Sequence, residues 1–159
     1  MPQILAEAAL DALDRRILAV LQRDGRITNQ QLAERVHLSA SACSRRVARL
    51  EENGVIAGYV ALLDPAIAGR GTTVFVQVSL LRQSQEDMAA FEQAAAECED
   101  VMECYLMSGE ADYLVKVAVR DLADFERVHA RSLSRMPGVA RIQSSFVLRT
   151  VSRGTAYPL

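Results

Sequence analysis

Between residues 28 and 54 the chain reads TNQQLAERVHLSASACSRRVARLEENG, and its capping residues admit little but two short helices joined by a tight turn. Thr28 with Gln31 predicts a capping box, in which a hydroxyl and an amide three residues apart each satisfy an orphan backbone N–H. Leu32, Ala33 and Val36 give the first helix one apolar side. His37-Leu38-Ser39 is the turn, and Ser39 is a natural N-cap for the helix that follows. Gly54 closes that helix, because a left-handed residue past the last turn costs glycine nothing. Within it Cys43, Val47 and Leu50 recur at i, i+4 and i+7, the stripe that buries against a core. Ser41, Arg45, Ala48 and Arg49 point the opposite way, with Ser44 and Arg46 on the flanks.

A helix lying in a major groove needs small residues where it meets base edges and arginine forks that reach guanine or phosphate. The same arginines can simply solvate an exposed face, but here no acid compensates them until Glu51 and Glu52. The pattern therefore predicts a helix-turn-helix with double-stranded DNA as its partner. Ser39, Ser41, Ser44, Arg45, Arg46 and Arg49 form the expected contact set. Ser41, Arg45 and Arg49 are the base-reading candidates, Ser44 and Arg46 the phosphate contacts, and Cys43 only core.

Residues 11–22, DALDRRILAVLQ, place Leu13, Ile17, Val20 and Leu21 at helical spacing, and Asp24-Gly25 stops the pattern. Three helices make a compact head over residues 1–54. The net charge of −2 argues against non-specific nucleic-acid binding by the whole molecule. The first 60 residues nevertheless carry eight arginines against seven acids, and the rest carries ten basic residues against thirteen acids. The cationic work falls to the head. Residues 55–64, VIAGYVALLD, are β-rich and predict a strand leaving the head, ended by Pro65. With Gly69, Arg70 and Gly71 they form a β-strand linker over 55–71.

From residue 72 the period changes. Thr73–Leu81 predicts a strand, Gln85–Cys98 a helix with Met88, Phe91, Ala95 and Cys98 inward, and Val101–Met107 a second strand. Ser108–Asp112 is a turn. Tyr113–Arg120 alternates in period two as a third strand. Leu122–Met136 follows as a helix capped by Asp121, with Leu122, Phe125, His129, Leu133 and Met136 on one side. Val139–Val151 is the last strand. The order βαββαβ predicts an α+β, ferredoxin-like sandwich over residues 72–159 with one sheet face uncovered by helices. Phe75, Gln77 and Ser79 lie on one face of the first strand and Val74, Val76 and Val78 on the other. Pairing two partly apolar open faces predicts a homodimer.

These residues resemble the Lrp/AsnC (feast/famine) family of transcriptional regulators, from about Leu10 to Leu159. The resemblance rests on LDALDRRILAVLQRDGRIT at the head and on LSxSxCxRRVxRLEExGVIxGYxALLDP through the Arg-bearing helix and linker. CYLMSGEADYLVKV, the late PGVARIQSSFVLRTV and the terminal YPL complete it. It implies a winged helix-turn-helix head and a regulatory (RAM) domain that dimerises and often assembles to octamers. It also implies an amino acid or related effector at Ser108, Gly109, Glu110, Asp112 and Tyr113. A glycine turn exposes backbone N–H groups to a carboxylate, and Glu110 or Asp112 can pair with an ammonium; the same residues also suit an ordinary hairpin turn. Ser144 and Ser145 are secondary candidates.

The chain departs from the family pattern in the recognition segment. His37 stands where the family commonly has Gly, and Ala40 and Ala42 stand where it commonly has Pro. An asparagine-like tolerance of positive φ lets His occupy such a turn with some strain.

Proteins resembling this family also include tetrapyrrole (haem-pathway) decarboxylases, the enzymatic alternative. That chemistry leans on cleft histidines, whereas this chain has only His37, in the head's turn, and His129, on the inward side of a helix. No catalytic set, metal or cofactor is expected. Cys43, Cys98 and Cys104 form no metal-ligand spacing, and with no membrane-length apolar run and no signal-peptide pattern at Met1–Leu10 they predict a reduced, cytoplasmic protein.

Overall fold

Asp11 opens the first helix, α1 (Ala12–Leu21), by accepting the backbone N–H of Asp14 on its side chain. Thr28 and Gln31 make the full capping box of α2 (Asn29–Val36). Ser39 caps α3 (Ala40–Glu52) through the N–H of Ala42. In each case a side chain satisfies an amide that the helix leaves without an internal partner, worth about 1 kcal/mol. The computed structural model describes residues 10–159, so the first nine residues of the expected 1–54 head lie outside it.

The turn between α2 and α3 is made by His37, at φ 57° and ψ 50° in the left-handed region. Its N–H donates to Glu34 O at 3.2 Å and that of Leu38 to Ala33 O at 2.9 Å, which closes α2 in the Schellman manner. The head core is Ile17, Leu18, Leu32, Ala33, Val36, Cys43, Val47 and Leu50, with Leu10, Leu38 and Ile56 packed against it. Each large aliphatic side chain buried here contributes about 1.5–3 kcal/mol.

The strand expected at residues 55–64 is not formed. A strand needs a neighbour for its ladder, and among the described residues this segment has one backbone bond to the head, Ile56 N–H to Leu50 O at 3.1 Å. Val60, Leu62 and Leu63 are largely exposed. Asp64 then folds the chain locally, its side chain accepting the N–H groups of Ala66 and Ile67.

The chain divides into two compact units, one of residues up to Ala61 together with Ser152–Leu159, the other Leu62–Val151. The tail thus groups with the head rather than with the 72–159 domain expected for it. The Gln22 amide accepts the N–H of Tyr157 at 2.6 Å and donates to its carbonyl at 3.3 Å, as a strand neighbour would.

The second unit is a four-stranded antiparallel sheet in the order β2-β3-β1-β4, with β1 Thr72–Leu80, β2 Val101–Leu106, β3 Tyr113–Val119 and β4 Val139–Phe146. Helices α4 (Gln85–Glu97) and α5 (Leu122–Arg131) connect them, completing the βαββαβ order. Val74, Val76, Val78 and Leu80 of β1 and Tyr113, Val115, Val117 and Val119 of β3 are buried with Phe91, Ala95, Phe125, Val128, Leu133 and Met136. Phe75, Gln77, Leu114 and Lys116 lie on the alternate, open face, as strand alternation requires.

Two element ends and one buried position differ most from the sequence pattern. The α5 helix stops at Arg131, and a 3₁₀ turn, Leu133–Arg135, carries Leu133 and Met136 into the core. Leu122 is solvent-exposed, and Val128 takes the buried position. β4 ends at Phe146 rather than Val151, because its partner β1 begins at Thr72 and the last bond is Val147 N–H to Thr73 O.

Arg70 is tied to the sheet by an ion pair to Asp100 at 2.6 Å and a hydrogen bond to Ala118 O at 3.1 Å. Arg127 bridges Asp100 at 3.4 Å and Asp124 at 2.9 Å. The backbone N–H of Arg120, followed by the Arg127 guanidinium, holds the buried Asp124 carboxyl well below the usual carboxylate range.

Candidate functional site

On α3 the apolar stripe Cys43, Val47 and Leu50 is buried, which leaves Ser41, Ser44, Arg45, Ala48 and Arg49 exposed. The Ser39 hydroxyl is committed to the helix cap and lies 3.3 Å from that of Ser41. A shallow cleft of about 380 Å³ opens beside the helix, floored by Leu13, Leu38 and Ala42 and rimmed by Arg45, Arg46 and Arg49. An apolar floor with a guanidinium rim suits a sugar–phosphate edge or a thymine methyl.

The three arginines are not equivalent. Arg46 is half-buried, and its Nη1 donates to Asp11 Oδ2 and Asp14 Oδ1, both at 2.7 Å. Arg49 donates from Nη2 to Asp14 Oδ2 at 2.7 Å, with its side chain still 54 % exposed. Arg45 has no ion-pair partner among the described residues. Two carboxylates of the α1 N-terminus thus take the charge of Arg46, the residue expected at a phosphate, while its side chain still lines the cleft. Those carboxylates raise the Arg46 pKa, Asp11 contributing most. The Asp14 backbone N–H first, and Arg46 second, lower that of Asp11.

Tyr59 is a head residue that sequence reasoning passed over. Its hydroxyl donates to Glu51 Oε1 at 3.0 Å, and a Cβ on Gly25 would stand 3.3 Å from its ring. Gly25 had read only as a helix stop; the close approach of an aromatic ring is a second reason for glycine there.

In the other unit the turn between β2 and β3 leaves Ser108, Gly109 and Glu110 exposed. Gly109 has an ordinary negative φ, and a Cβ built on it would meet nothing within 4 Å. Neither backbone conformation nor crowding demands glycine at this position. Its bare backbone instead leaves an open approach to the amides of the turn, which suits a bound carboxylate. Glu110 makes a long, exposed ion pair with Arg141 at 3.9 Å, which an ammonium could replace.

Asp112 and Tyr113 are placed differently. The Asp112 carboxylate accepts the N–H of Leu80 at 2.7 Å and the Gln83 side-chain amide at 2.6 Å. Its role is to fasten the turn to the end of β1. Tyr113 points to the helix side of the sheet, where it is buried, stacks on Phe91 with ring centroids 4.5 Å apart and donates to Glu92 Oε1 at 2.9 Å. Its phenol does not reach the tip of the turn. Burial, and then Glu92, push its pKa up. Ser144 pairs opposite Val76 and so shares the helix side, whereas Ser145, opposite Phe75, is on the open face.

His129 rests against Phe125 and lies 3.3 Å from the Ser134 hydroxyl. His37 belongs to the head's turn. Among the described residues no three His, Cys, Asp or Glu side chains gather into a metal site, and no helix is long and apolar enough to cross a membrane.

Residues 73–157 match the profile of the Lrp/AsnC ligand binding domain, and residues 10–57 that of a winged helix-turn-helix DNA-binding domain. The Bkd operon transcriptional regulator of Pseudomonas aeruginosa is 42% identical over 152 residues, spanning 96% of this chain and 99% of that protein. The leucine-responsive regulatory protein of Escherichia coli is 40% identical over 144 residues, spanning 91% and 88%. Among solved structures, a Neisseria meningitidis transcriptional regulator in complex with L-Met superposes with a TM-score of 0.89 at 38% identity, covering 94% of this chain and 96% of that one. The Pseudomonas and Neisseria relatives are named transcriptional regulators, and the Escherichia coli relative a regulatory protein.

Proposed function

The chain belongs to the Lrp/AsnC family of DNA-binding transcriptional regulators, and from that footing we propose how it reads DNA and what it answers to. Its α3 enters the major groove and reads bases with Ser41, Arg45 and Arg49, while Ser44 and the N-terminal edge of the helix at Ser39 contact phosphate. The effector is an amino acid. Its carboxylate sits on the backbone of Ser108 and Gly109, and its ammonium pairs with Glu110. The observation that carries the effector site is Gly109, a glycine that its own backbone does not require. The L-Met complex of the Neisseria regulator and the leucine-responsive name of the Escherichia coli relative support an amino acid in this role.

The regulator works in the cytoplasm as a homodimer, alone or in an octameric ring of dimers, formed through the open sheet face. Phe75, Leu114 and Ala118 supply apolar area there, and the Lys116–Glu103 pair at 2.6 Å gives a polar element that fixes register. In this layout residues 1–54 are the head, residues 55–71 the linker and residues 72–151 the regulatory domain, the tail from Ser152 being grouped with the head. An effector that binds one state of the assembly better than another shifts DNA affinity by that difference.

A thermal-shift screen against the twenty amino acids tests the effector reading, since a ligand that binds only the folded chain raises its Tm. One or a few amino acids are expected to stabilise the wild type and to fail with Glu110→Ala. A flat response across all twenty counts against an amino-acid effector.

A further inference from the structure

Among the described residues of the head, Asp14 is the carboxylate that is buried, at 2 % exposure. It lies on α1 beneath α3, and each of its oxygens takes one guanidinium, Oδ1 that of Arg46 and Oδ2 that of Arg49, both at 2.7 Å. Asp11 holds the N–H of Asp14 at 2.8 Å and adds a second acceptor to Arg46. A buried ion pair of this kind contributes little net stability compared with apolar residues of equal volume. What it does supply is geometry.

We infer that Asp14 is a positioning residue for DNA recognition: it presets the Arg49 fork for a base edge and withdraws Arg46 from the phosphate field. The inference rests on α3 being the recognition helix, as proposed above. One of the five donors of Arg49 is held from behind at Nη2, and half of the side chain remains exposed. An arginine anchored before it meets DNA has already lost its rotamer freedom, so a bidentate contact to guanine forms with less ordering left to do. The charges of Asp11, Asp14, Arg46 and Arg49 cancel. Among the described residues Arg45 is the arginine of α3 left without an ion-pair partner, so attraction to DNA of any sequence is kept low while discrimination is kept high.

The test uses the full chain and two duplexes, one enriched from a random pool by the wild-type protein and one scrambled version of it. Affinities for both are measured over a range of salt, with thermal unfolding alongside. Asp14→Asn keeps the shape and removes the charge. It is expected to lower the enriched-to-scrambled affinity ratio about tenfold, the size of one bidentate base contact. It should also steepen the salt dependence of binding to the scrambled duplex by about one unit, for one newly uncompensated cation. Arg49→Lys, which keeps the charge but not the planar fork, is expected to lower the ratio similarly without changing the slope.

A ratio at the wild-type value in Asp14→Asn overturns the inference, whatever Arg49→Lys does. So does an equal fall in both affinities, which marks a role in stability alone. A wild-type protein that enriches no sequence overturns the recognition-helix reading itself, and the inference falls with it.

Discussion

The carboxylate of Asp112 accepts the backbone N–H of Leu80 at 2.7 Å, at the point where the β1–β4 register shifts between Ser79 and Leu80. A residue that the family resemblance nominates as an effector ligand is thus engaged in holding the turn at which we propose the effector binds. Asp112→Ala is expected to destabilise the domain by about 1–3 kcal/mol, through an amide left without its acceptor. It should lose the effector response by loosening the turn. Glu110→Ala, on the exposed tip, is expected to abolish the response while leaving ligand-free stability within about 0.5 kcal/mol. Thermal unfolding of both variants with and without a stabilising amino acid separates the two roles. Equal ligand-free Tm values would place Asp112 among the ligands after all.

The arginines of α3 should separate in the same way. Arg45→Ala removes a side chain with no ion-pair partner among the described residues. It is expected to leave Tm unchanged and to weaken operator binding by about 1–3 kcal/mol if Arg45 meets a base. Arg46→Ala leaves Asp11 and half of Asp14 unpaired. It is expected to cost about 1–3 kcal/mol of stability, less than a fully buried pair because Arg46 is a quarter exposed. Gel shift at fixed salt, read beside thermal unfolding, checks both.

His37 carries a positive φ that glycine adopts freely and other residues adopt at a cost of about 1–2 kcal/mol. Part of that is offset by the greater freedom glycine has in the unfolded chain. His37→Gly is therefore expected to stabilise the head by up to about 1 kcal/mol, visible as a higher urea midpoint. A lower midpoint would mean that the imidazole makes a contribution its contacts do not show.

Asp124 sets a pH dependence with a definite sign. Its folded-state pKa lies below the unfolded value of 3.8, chiefly because the Arg120 N–H and the Arg127 guanidinium bind the carboxylate form. A lowered pKa contributes stability that is fully present above the unfolded value and is lost as pH falls below it. Tm should therefore fall for the wild type as pH drops from 5 toward 2, and the gap to Asp124→Asn should narrow over the same interval. A gap that is constant with pH would assign the effect to shape rather than charge.

What the sequence shows of this molecule divides by distance along the chain. Thr28 with Gln31, Ser39 with Ala42 and Asp121 with Asp124 are partners three residues apart, so helix starts are visible in the letters alone. The βαββαβ order follows from period-two runs, and the Tyr113-Val115-Val117-Val119 alternation already places Tyr113 on the buried face. The rest depends on partners far away in sequence. Arg46 and Asp14 are 32 residues apart, as are Leu80 and Asp112, so no local pattern reveals that either pair is engaged. Residues 55–64 have the composition of a strand, but composition supplies no neighbour to pair with.

The Gln22–Tyr157 pairing has a consequence for the order in which the protein is made. Residues 10–61 of the head leave the ribosome early, whereas Ser152–Leu159, which belong to the same unit, follow only after all of Leu62–Val151 has been synthesised. The head therefore gains this pairing only after the second unit has been made, although its buried core, drawn from Ile17 to Leu50, holds none of those late residues.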